Sequence, residues 1–310
     1  MFPTARPTER QTEDAMNRNL SILQRATAAD LQLDPFPHVV IANALPDDLY
    51  AELEASFPSP QSMGIDPSRN NHRWNYASRK IRRNSKLPQI WRDFIAYHAS
   101  EAFYRDIVGL FHEGIHALYP ERFSDRDSLE SLRVGVRKHD TFAKKDVLMD
   151  AMISGNTPVI EASSVRSSHL DSGDKLFSGL FYMRPPTYDA VGGDLTISRY
   201  NRELAGRPER HLKFKGAYIE DDNLEVVRTV TYDRNLAVLF INSLDSVHGV
   251  TVRQPSPHSR LFVNLVGEID PPLYELEDSG KPAHYLPADQ PRTPIGLTDR
   301  IVPMMRRMFG

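Results

Sequence analysis

Cysteine is absent from this 310-residue sequence, which excludes disulfides, thiolate nucleophiles and cysteine-ligated metal sites. A bound metal would therefore need histidine, aspartate or glutamate ligands. An excess of charge of either sign is absent too, because 38 Lys and Arg residues face 41 Asp and Glu residues, for a net charge of -3. Nucleic-acid and anionic-membrane binding depend on excess positive charge. We therefore expect neither a nucleic-acid partner nor a membrane partner.

Long apolar runs are also missing. No stretch approaches the roughly 20 apolar residues of a membrane-spanning helix, and the first residues lack the apolar segment of a signal peptide. A cytoplasmic location is the expectation. The hydrophobic fraction of 40% is ordinary for a globular protein, so the chain can form a substantial core.

The hydrophobic pattern changes along the chain. Residues 1–33 form a polar segment with loosely helical apolar spacing, and residues 34–270 form the predicted single domain. Residues 34–128 have the apolar spacing of helices. In residues 129–270, apolar and other residues alternate with a period of two in short runs such as "LFSGLFYMRP" and "RLFVNLVGEI", which is typical of strands. Residues 271–310 are rich in proline and charge and predict an extended arm that ends in a short helix. The pattern predicts an α+β chain with an all-β jelly-roll core supported by N-terminal helices.

One conspicuous motif is "HEGIH", His112 to His116, which matches the H-E-x-x-H pattern of zinc hydrolases. In that pattern two histidines on one helical face bind zinc and Glu113 activates water. Against a zinc hydrolase, Gly114 inside the motif weakens a helix by about 1 kcal/mol relative to alanine. No third-ligand signature follows the motif either. A zinc metallohydrolase is the alternative, and a helix surface is the favoured interpretation.

A second set of residues could also hold a metal. His169 and Asp171 are two apart in "SSHLDSGD", so on a strand their side chains project from the same face. His248 follows the strand-like run "NLAVLFIN" much later in the chain. Two histidines and one carboxylate on one face of an octahedral ion are the ligands of non-haem Fe(II) oxygenases.

The second half of the chain resembles the Fe(II)- and 2-oxoglutarate-dependent dioxygenases, in particular their prolyl-4-hydroxylase-like branch. The resemblance rests on "HLD" at 169–171, "VGGDLTI" at 191–197, "LAVLFINSLDSVHGV" at 236–250 and "SRLFVNLVGE" at 259–268, together with an opening at 34–58. It implies a double-stranded β-helix (jelly roll, cupin-like) and the cofactors Fe(II), 2-oxoglutarate and O2. It also implies that His169, Asp171 and His248 bind iron and that Arg260 binds the distal carboxylate of 2-oxoglutarate. The separation of Asp171 from His248 is longer than usual, and an insertion over residues 199–222 accounts for it.

Three residues are candidates for binding the co-substrate. A guanidinium forms a fork of two charge-assisted hydrogen bonds with a carboxylate, which suits Arg260 to that role. Residues 260, 262 and 264 share one face of the predicted strand, so Arg260 can point inward while 261, 263 and 265 pack outward. Tyr182 could donate a hydrogen bond to 2-oxoglutarate or be a core tyrosine, and Asn264 has the same ambiguity.

Substrate contacts are predicted for four further residues. Arg253 follows His248 in a predicted loop and is assigned to the substrate or the rim, and Arg166 precedes the metal-binding motif. The basic run at 69–86 predicts either a solvated face or a lid that brings Arg or Lys to an anionic group, with Trp74 or Tyr76 as a packing surface. The expected substrate is a small polar or anionic metabolite, amino acid or biosynthetic intermediate. The sequence is also compatible with a peptidyl-prolyl or protein hydroxylase and with a non-catalytic jelly-roll binding module. Proteins with the same fold can act on different substrates or on none.

Overall fold

The structure is a computed structural model that describes residues 19–201, 212–213, 218–276 and 283–292. Several predicted segments therefore lie wholly or partly outside the described residues: the first part of the N-terminal segment, most of the insertion at 199–222 and the short C-terminal helix at 297–310. Within the described ranges, every helix is too short or too polar to traverse a lipid bilayer.

Most helices of the described residues lie in the first half of the chain. The α-helices are α1 (Asp47–Ala55), α2 (Ser78–Arg83), α3 (Gln89–His98), α4 (Glu101–Leu118) and α5 (Arg126–Glu130), and 3-10 helices span Ala28–Asp30, Pro60–Met63 and Asp221–Asn223. Helix α1 follows a proline and has two aspartates in its first turn, next to the positive end of the helix dipole.

Most of the strands lie in the second half of the chain. They are β1 (His38–Ala42), β2 (Arg73–Tyr76), β3 (Val134–Val136), β4 (Val147–Asn156), β5 (Lys175–Tyr182), β6 (Leu195–Tyr200), β7 (Leu212–Lys213), β8 (Tyr218–Ile219), β9 (Leu224–Val230), β10 (Leu236–Ile241), β11 (His248–Val250), β12 (Arg260–Ile269), β13 (Tyr274–Glu275) and β14 (His284–Tyr285). Among the described residues, seven strands form the major sheet in the order β1-β10-β5-β12-β4-β2, with β3 beside β4. A smaller sheet has the order β11-β6-β9.

The major sheet is covered on both faces. On the outer face, Phe181, Val263 and Leu265 join Trp91 and Phe94 of α3 in one buried cluster. On the inner face, side chains of β5, β10 and β12 form a second cluster with Leu195 and Ile197 of β6 in the smaller sheet. The two sheets therefore face each other across a shared interior, as in a jelly roll. The predicted jelly-roll core is confirmed at this level.

Residues 19–33 precede the sheets and differ from the predicted helical pattern. They form a turn and the short 3-10 helix Ala28–Asp30. Ile22 is buried completely, and its backbone N–H donates to Nε2 of His98 at 3.3 Å. Nδ1 of His98 bonds the carbonyl oxygen of Phe94 at 2.8 Å. Burial lowers the pKa of His98 to about 3, so this histidine joins the segment to α3 as a neutral ring.

Candidate metal centre

The structure brings together the three residues that the sequence indicated as ligands. His169 lies in the connection between β4 and β5 and pairs with His248, the first residue of β11, through two backbone hydrogen bonds of 2.9 and 3.1 Å. The two imidazole rings are 4.2 Å apart between centroids. Ligand atoms of His169, Asp171 and His248 all lie within 4.8 Å of one another, and all three residues are buried. The pairing of His169 with β11 thus brings together ligand candidates that are far apart in the sequence.

Both histidines are oriented by backbone carbonyl groups. Nδ1 of His169 lies 2.8 Å from the carbonyl oxygen of Ser167, and Nδ1 of His248 lies 2.9 Å from that of Ser246. Burial lowers the pKa of His169 well below its usual range and also lowers the pKa of His248. A neutral ring that donates from Nδ1 has its lone pair on Nε2, and Nε2 of His169 is buried without a hydrogen-bond partner among the described residues. That orphaned nitrogen fits a metal ligand.

The carboxylate of Asp171 has three polar neighbours, and its backbone has one. The hydroxyl group of Ser178 donates to Oδ2 at 2.7 Å, while Lys175 lies 2.9 Å and Arg166 lies 3.4 Å from Oδ1. The hydroxyl group of Tyr274 donates to the Asp171 backbone carbonyl at 2.9 Å. Burial alone would raise the pKa of Asp171, but Lys175, the two neighbouring histidines and Arg166 hold it well below its usual range. Asp171 is therefore ionised, and its backbone is also held in place.

Two neutral imidazoles and one carboxylate constitute a donor set that suits a divalent transition metal and is typical of non-haem Fe(II) sites. In the part of the chain that the structure describes, this is the only group of three or more such side chains close enough to share an ion. The residues present therefore fit the metal that the sequence resemblance implies.

The "HEGIH" motif does not assemble a comparable site. It lies in α4, where Glu113 and His116 are exposed and His112 is half-buried. Gly114 faces Pro37, and a Cβ atom added there would lie 2.8 Å from the proline ring. The glycine thus lets α4 pack closely on the segment before β1. Since no third ligand among the described residues lies near His112 and His116, the zinc-hydrolase alternative is not favoured.

Arg260 begins β12 and points into the interior, as the alternation predicted. It is 2% exposed, and its guanidinium carbon lies 4.9 Å from the ring centroid of Tyr182, 4.9 Å from that of Tyr232 and 5.1 Å from that of Phe262. Its Nε and Nη2 atoms are buried without a hydrogen-bond partner among the described residues. Unsatisfied charged donors are costly in an apolar setting, so this pocket is suited to an anionic ligand.

Tyr182 and Asn264 lie on the same inner face as Arg260. The Tyr182 hydroxyl group is buried and lacks a partner in the described chain, and burial raises its pKa, so it stays protonated as a donor. The side-chain oxygen of Asn264 accepts from Arg73 at 3.0 Å. Ser178, next to Asp171, and Tyr182 are four residues apart on β5, or about 13 Å along a strand. Ser178 contacts Asp171 at one end of β5, and the Tyr182 ring contacts Arg260 at the other.

A pair of glycines allows the close packing around Arg260. Gly192 and Gly193 precede β6 with φ angles of 81° and 88°, in the left-handed region. A Cβ atom at Gly192 would lie 1.9 Å from the Val252 carbonyl oxygen, and one at Gly193 would touch the side chains of Arg253 and Arg260. The "VGGD" motif therefore supplies space for the backbone and for two arginine side chains.

The sequence assigned Arg253 to the substrate or to the rim, and it does not lie at the rim. It is completely buried, and its Nη1 atom donates to Oδ1 of Asn71 at 2.7 Å and to the Thr157 carbonyl oxygen at 3.0 Å. Its Nη2 atom donates to the His258 carbonyl oxygen at 2.8 Å. The predicted rim position is wrong, because three acceptors of the surrounding loops hold this guanidinium in the interior.

Trp74 and Tyr76 also differ from the prediction. Trp74 is 5% exposed, belongs to the cluster on the helical face and packs on Gly155. Tyr76 packs against the same cluster, and its hydroxyl group accepts from Asn84 at 3.2 Å. Both side chains therefore point away from the interior and cannot line a substrate site there.

The same strand supplies a residue that the sequence interpretation missed. Alternation along β2 places Arg73 on the opposite face from Trp74, so it points inward. Its guanidinium carbon lies 5.2 Å from the ring centroid of Phe262. The alternation of "RWNY" could have identified Arg73. No comparable pattern in the sequence indicated that Lys175 and Tyr274 contact Asp171.

No protein-family model and no curated protein matches this sequence. Among solved structures, the chain is similar to a Pseudomonas putida prolyl-4-hydroxylase (13% identity, 75% of this chain and 92% of that chain, TM-score 0.40). It is also similar to a Phytophthora capsici prolyl 4-hydroxylase (12% identity, 93% and 74%, TM-score 0.43). A third similar structure is the epimerase SnoN in complex with Fe3+, alpha ketoglutarate and nogalamycin RO (12% identity, 84% and 91%, TM-score 0.36). These solved structures are thus prolyl hydroxylases and an iron and alpha-ketoglutarate enzyme, and at such TM-scores the likeness assigns no role to any residue of this chain.

Proposed function

We propose that this protein is an Fe(II)- and 2-oxoglutarate-dependent dioxygenase with a double-stranded β-helix core. Its substrate would be a small polar or anionic metabolite, amino acid or biosynthetic intermediate, oxidised at a C–H bond. The observation that supports the proposal is the buried group of His169, Asp171 and His248, which shares the interior with Arg260, two of whose guanidinium nitrogens have no partner among the described residues. A metal site and an anion site in one interior are what a chelating 2-oxo dicarboxylate needs.

Each residue has a defined part in this proposal. His169, Asp171 and His248 would hold the iron, which leaves three of six positions for other ligands. Arg260 would bind the distal carboxylate of 2-oxoglutarate, with the Tyr182 hydroxyl group as an additional donor. When bound, Fe(II) and 2-oxoglutarate supply the oxidation by O2, with succinate and CO2 as co-products.

The interior residues provide the surroundings for that chemistry. Val238 and Phe240 of β10, Ile197 of β6 and Phe262 of β12 are buried in the cluster between the sheets. Their apolar side chains keep water away from the interior around Arg260. A guanidinium–carboxylate pair is stronger there than it would be in water.

The test is an anaerobic titration of the metal-free protein with Fe(II) and then with 2-oxoglutarate, followed by the visible charge-transfer band of the chelate. We expect the band in the wild type and its loss in His169→Ala. The matched control is His112→Ala, which removes a histidine of the "HEGIH" helix and should leave the band unchanged. A protein that forms no chelate, and whose bound zinc depends on His112 and His116, would refute the proposal.

A further inference from the structure

The interior carries more positive charge than the proposed co-substrate needs. Four cationic side chains surround it: Arg73, Arg166, Lys175 and Arg260. Among the described residues, Asp171 is the only carboxylate within ion-pair distance of any of them, and it contacts Arg166 and Lys175. With Asp171 assigned to the metal and Arg260 to 2-oxoglutarate, Arg73 has no anionic partner in the described chain, and Arg166 has only Asp171, which it shares with Lys175.

Arg73 is held on the Arg260 side of the interior. In the major sheet, Arg73 and Arg260 flank Asn156 of β4 on its two sides. Its Nη2 atom donates to Asn264, which fixes the guanidinium without neutralising it. Burial, and then repulsion from Arg166 and Arg260, lowers the pKa of Arg73 to about 10, so the group remains charged at neutral pH.

Arg166 is held on the metal side. Its backbone carbonyl oxygen accepts from the Val250 N–H at 3.0 Å, which ties the segment before His169 to β11. Its guanidinium lies 3.4 Å from Asp171, and its side chain is 35% exposed. Arg73 has intermediate exposure as a whole residue although its guanidinium is buried, and Arg260 is buried. Of the four cationic groups, Arg166 is therefore the one most accessible to solvent.

We propose that Arg73 and Arg166 together bind an oxyanion of the substrate, a carboxylate or a phosphate, beside the metal centre. The inference rests on the proposed function and narrows its substrate to an anion. Guanidinium groups match both oxyanions with paired charge-assisted hydrogen bonds. Two of them, one on β2 and one in the segment before His169, would hold the charged end of the substrate while the remainder extends toward the iron.

The experiment uses the anaerobic protein loaded with Fe(II) and 2-oxoglutarate. Inorganic phosphate, propionate and the uncharged propionamide are titrated at constant ionic strength set with chloride, with melting temperature and the chelate band as readouts. We expect at least one of the two anions to raise the melting temperature and perturb the band, and propionamide to do neither. The comparison of phosphate with propionate shows which oxyanion the site prefers.

Variants then locate the binding site. Loss of a charge-assisted contact should weaken anion binding about 10- to 100-fold in Arg73→Gln and in Arg166→Gln. Arg73→Lys, which retains the charge but not the fork, should keep part of the affinity. The matched control is Arg83→Gln, which removes an exposed arginine of α2 and should bind the anion like the wild type.

The outcomes separate this inference from the proposed function. Absence of a chelate band in the wild type refutes the proposed function itself. A normal chelate without any preference of either anion over propionamide refutes the oxyanion site alone. If Arg73→Gln weakens 2-oxoglutarate binding as much as replacement of Arg260 does, Arg73 belongs to the co-substrate site and the inference is wrong.

Discussion

Replacement of Arg260 by methionine should separate binding of 2-oxoglutarate from stability of the fold. The guanidinium is buried and two of its nitrogens have no partner in the described chain, so it carries a desolvation cost of several kcal/mol. Cation–π contacts with three rings offset this cost by about 1 kcal/mol each. Methionine fills similar space and keeps favourable contacts with aromatic rings. We therefore expect the free energy of unfolding of the metal-free protein to change by about 1 kcal/mol or less.

The effect on 2-oxoglutarate should be much larger. Hydrogen bonds to charged groups are worth about 1.5–3 kcal/mol, and their loss leaves the distal carboxylate without its partner. A loss of about 3 kcal/mol corresponds to a Kd roughly 100-fold higher, since each 1.4 kcal/mol is tenfold. Fe(II) affinity should be unchanged, because the three metal ligands remain.

Three measurements test this prediction: urea unfolding of the metal-free protein, Fe(II) titration, and anaerobic 2-oxoglutarate titration followed by the chelate band. Arg260→Lys should have an intermediate Kd, because lysine provides charge without the planar fork. A variant that loses several kcal/mol of stability yet binds 2-oxoglutarate normally would show that Arg260 is a structural residue and would refute the reasoning.

Three further predictions concern the surroundings of the site. Tyr274→Phe removes the hydrogen bond to the Asp171 carbonyl and should weaken Fe(II) about 10-fold in a competition titration with unchanged 2-oxoglutarate binding, and unchanged metal affinity would contradict it. Because the folded-state pKa of His98 lies below its unfolded value, its contribution to stability should be constant above about pH 6.5 and fall by up to about 1.4 kcal/mol per unit below it. Urea unfolding at about pH 7.5 and 5.5 should show this slope in the wild type and a smaller slope in His98→Gln. Gly192→Ala should destabilise the protein by more than about 2 kcal/mol, because the added Cβ atom meets the backbone of Val252. Gly64 also has a positive φ but has open space around it, so Gly64→Ala should cost only about 1 kcal/mol. Equal thermal shifts for the two variants would contradict this account.

Local patterns predicted the inward face of β12 correctly. Alternation along the strand predicted that Arg260 points inward and that Val263 and Leu265 pack outward, and the two hydrophobic clusters agree. The direction of successive side chains on a strand depends only on the backbone of that strand, so it can be predicted without knowing the neighbours. The same reasoning, applied to "RWNY", would have identified Arg73 in place of Trp74.

Properties that depend on partners from distant parts of the chain were predicted less well. Arg253 was expected at the substrate or the rim, but Asn71, Thr157 and His258 accept hydrogen bonds from its two Nη atoms in the interior. None of these acceptors could be inferred from the residues next to Arg253. Burial and hydrogen bonding depend on which loops meet, and that is a property of the whole fold.

The sequence by itself determined the types of ligand that a metal could have, because cysteine is absent. The strand predicted for His169 and Asp171 is wrong, since His169 forms only an isolated bridge and Asp171 belongs to no strand. Only the tertiary structure decided that His248 lies across from His169, that Tyr274 holds the Asp171 backbone, and that His112 has no partners for a metal site among the described residues. The physical reason is the range of the interactions. Strand periodicity is set within a few residues of the chain. A metal site needs several side chains within a few ångströms of one another, and strand pairing over long sequence separations determines which side chains come together.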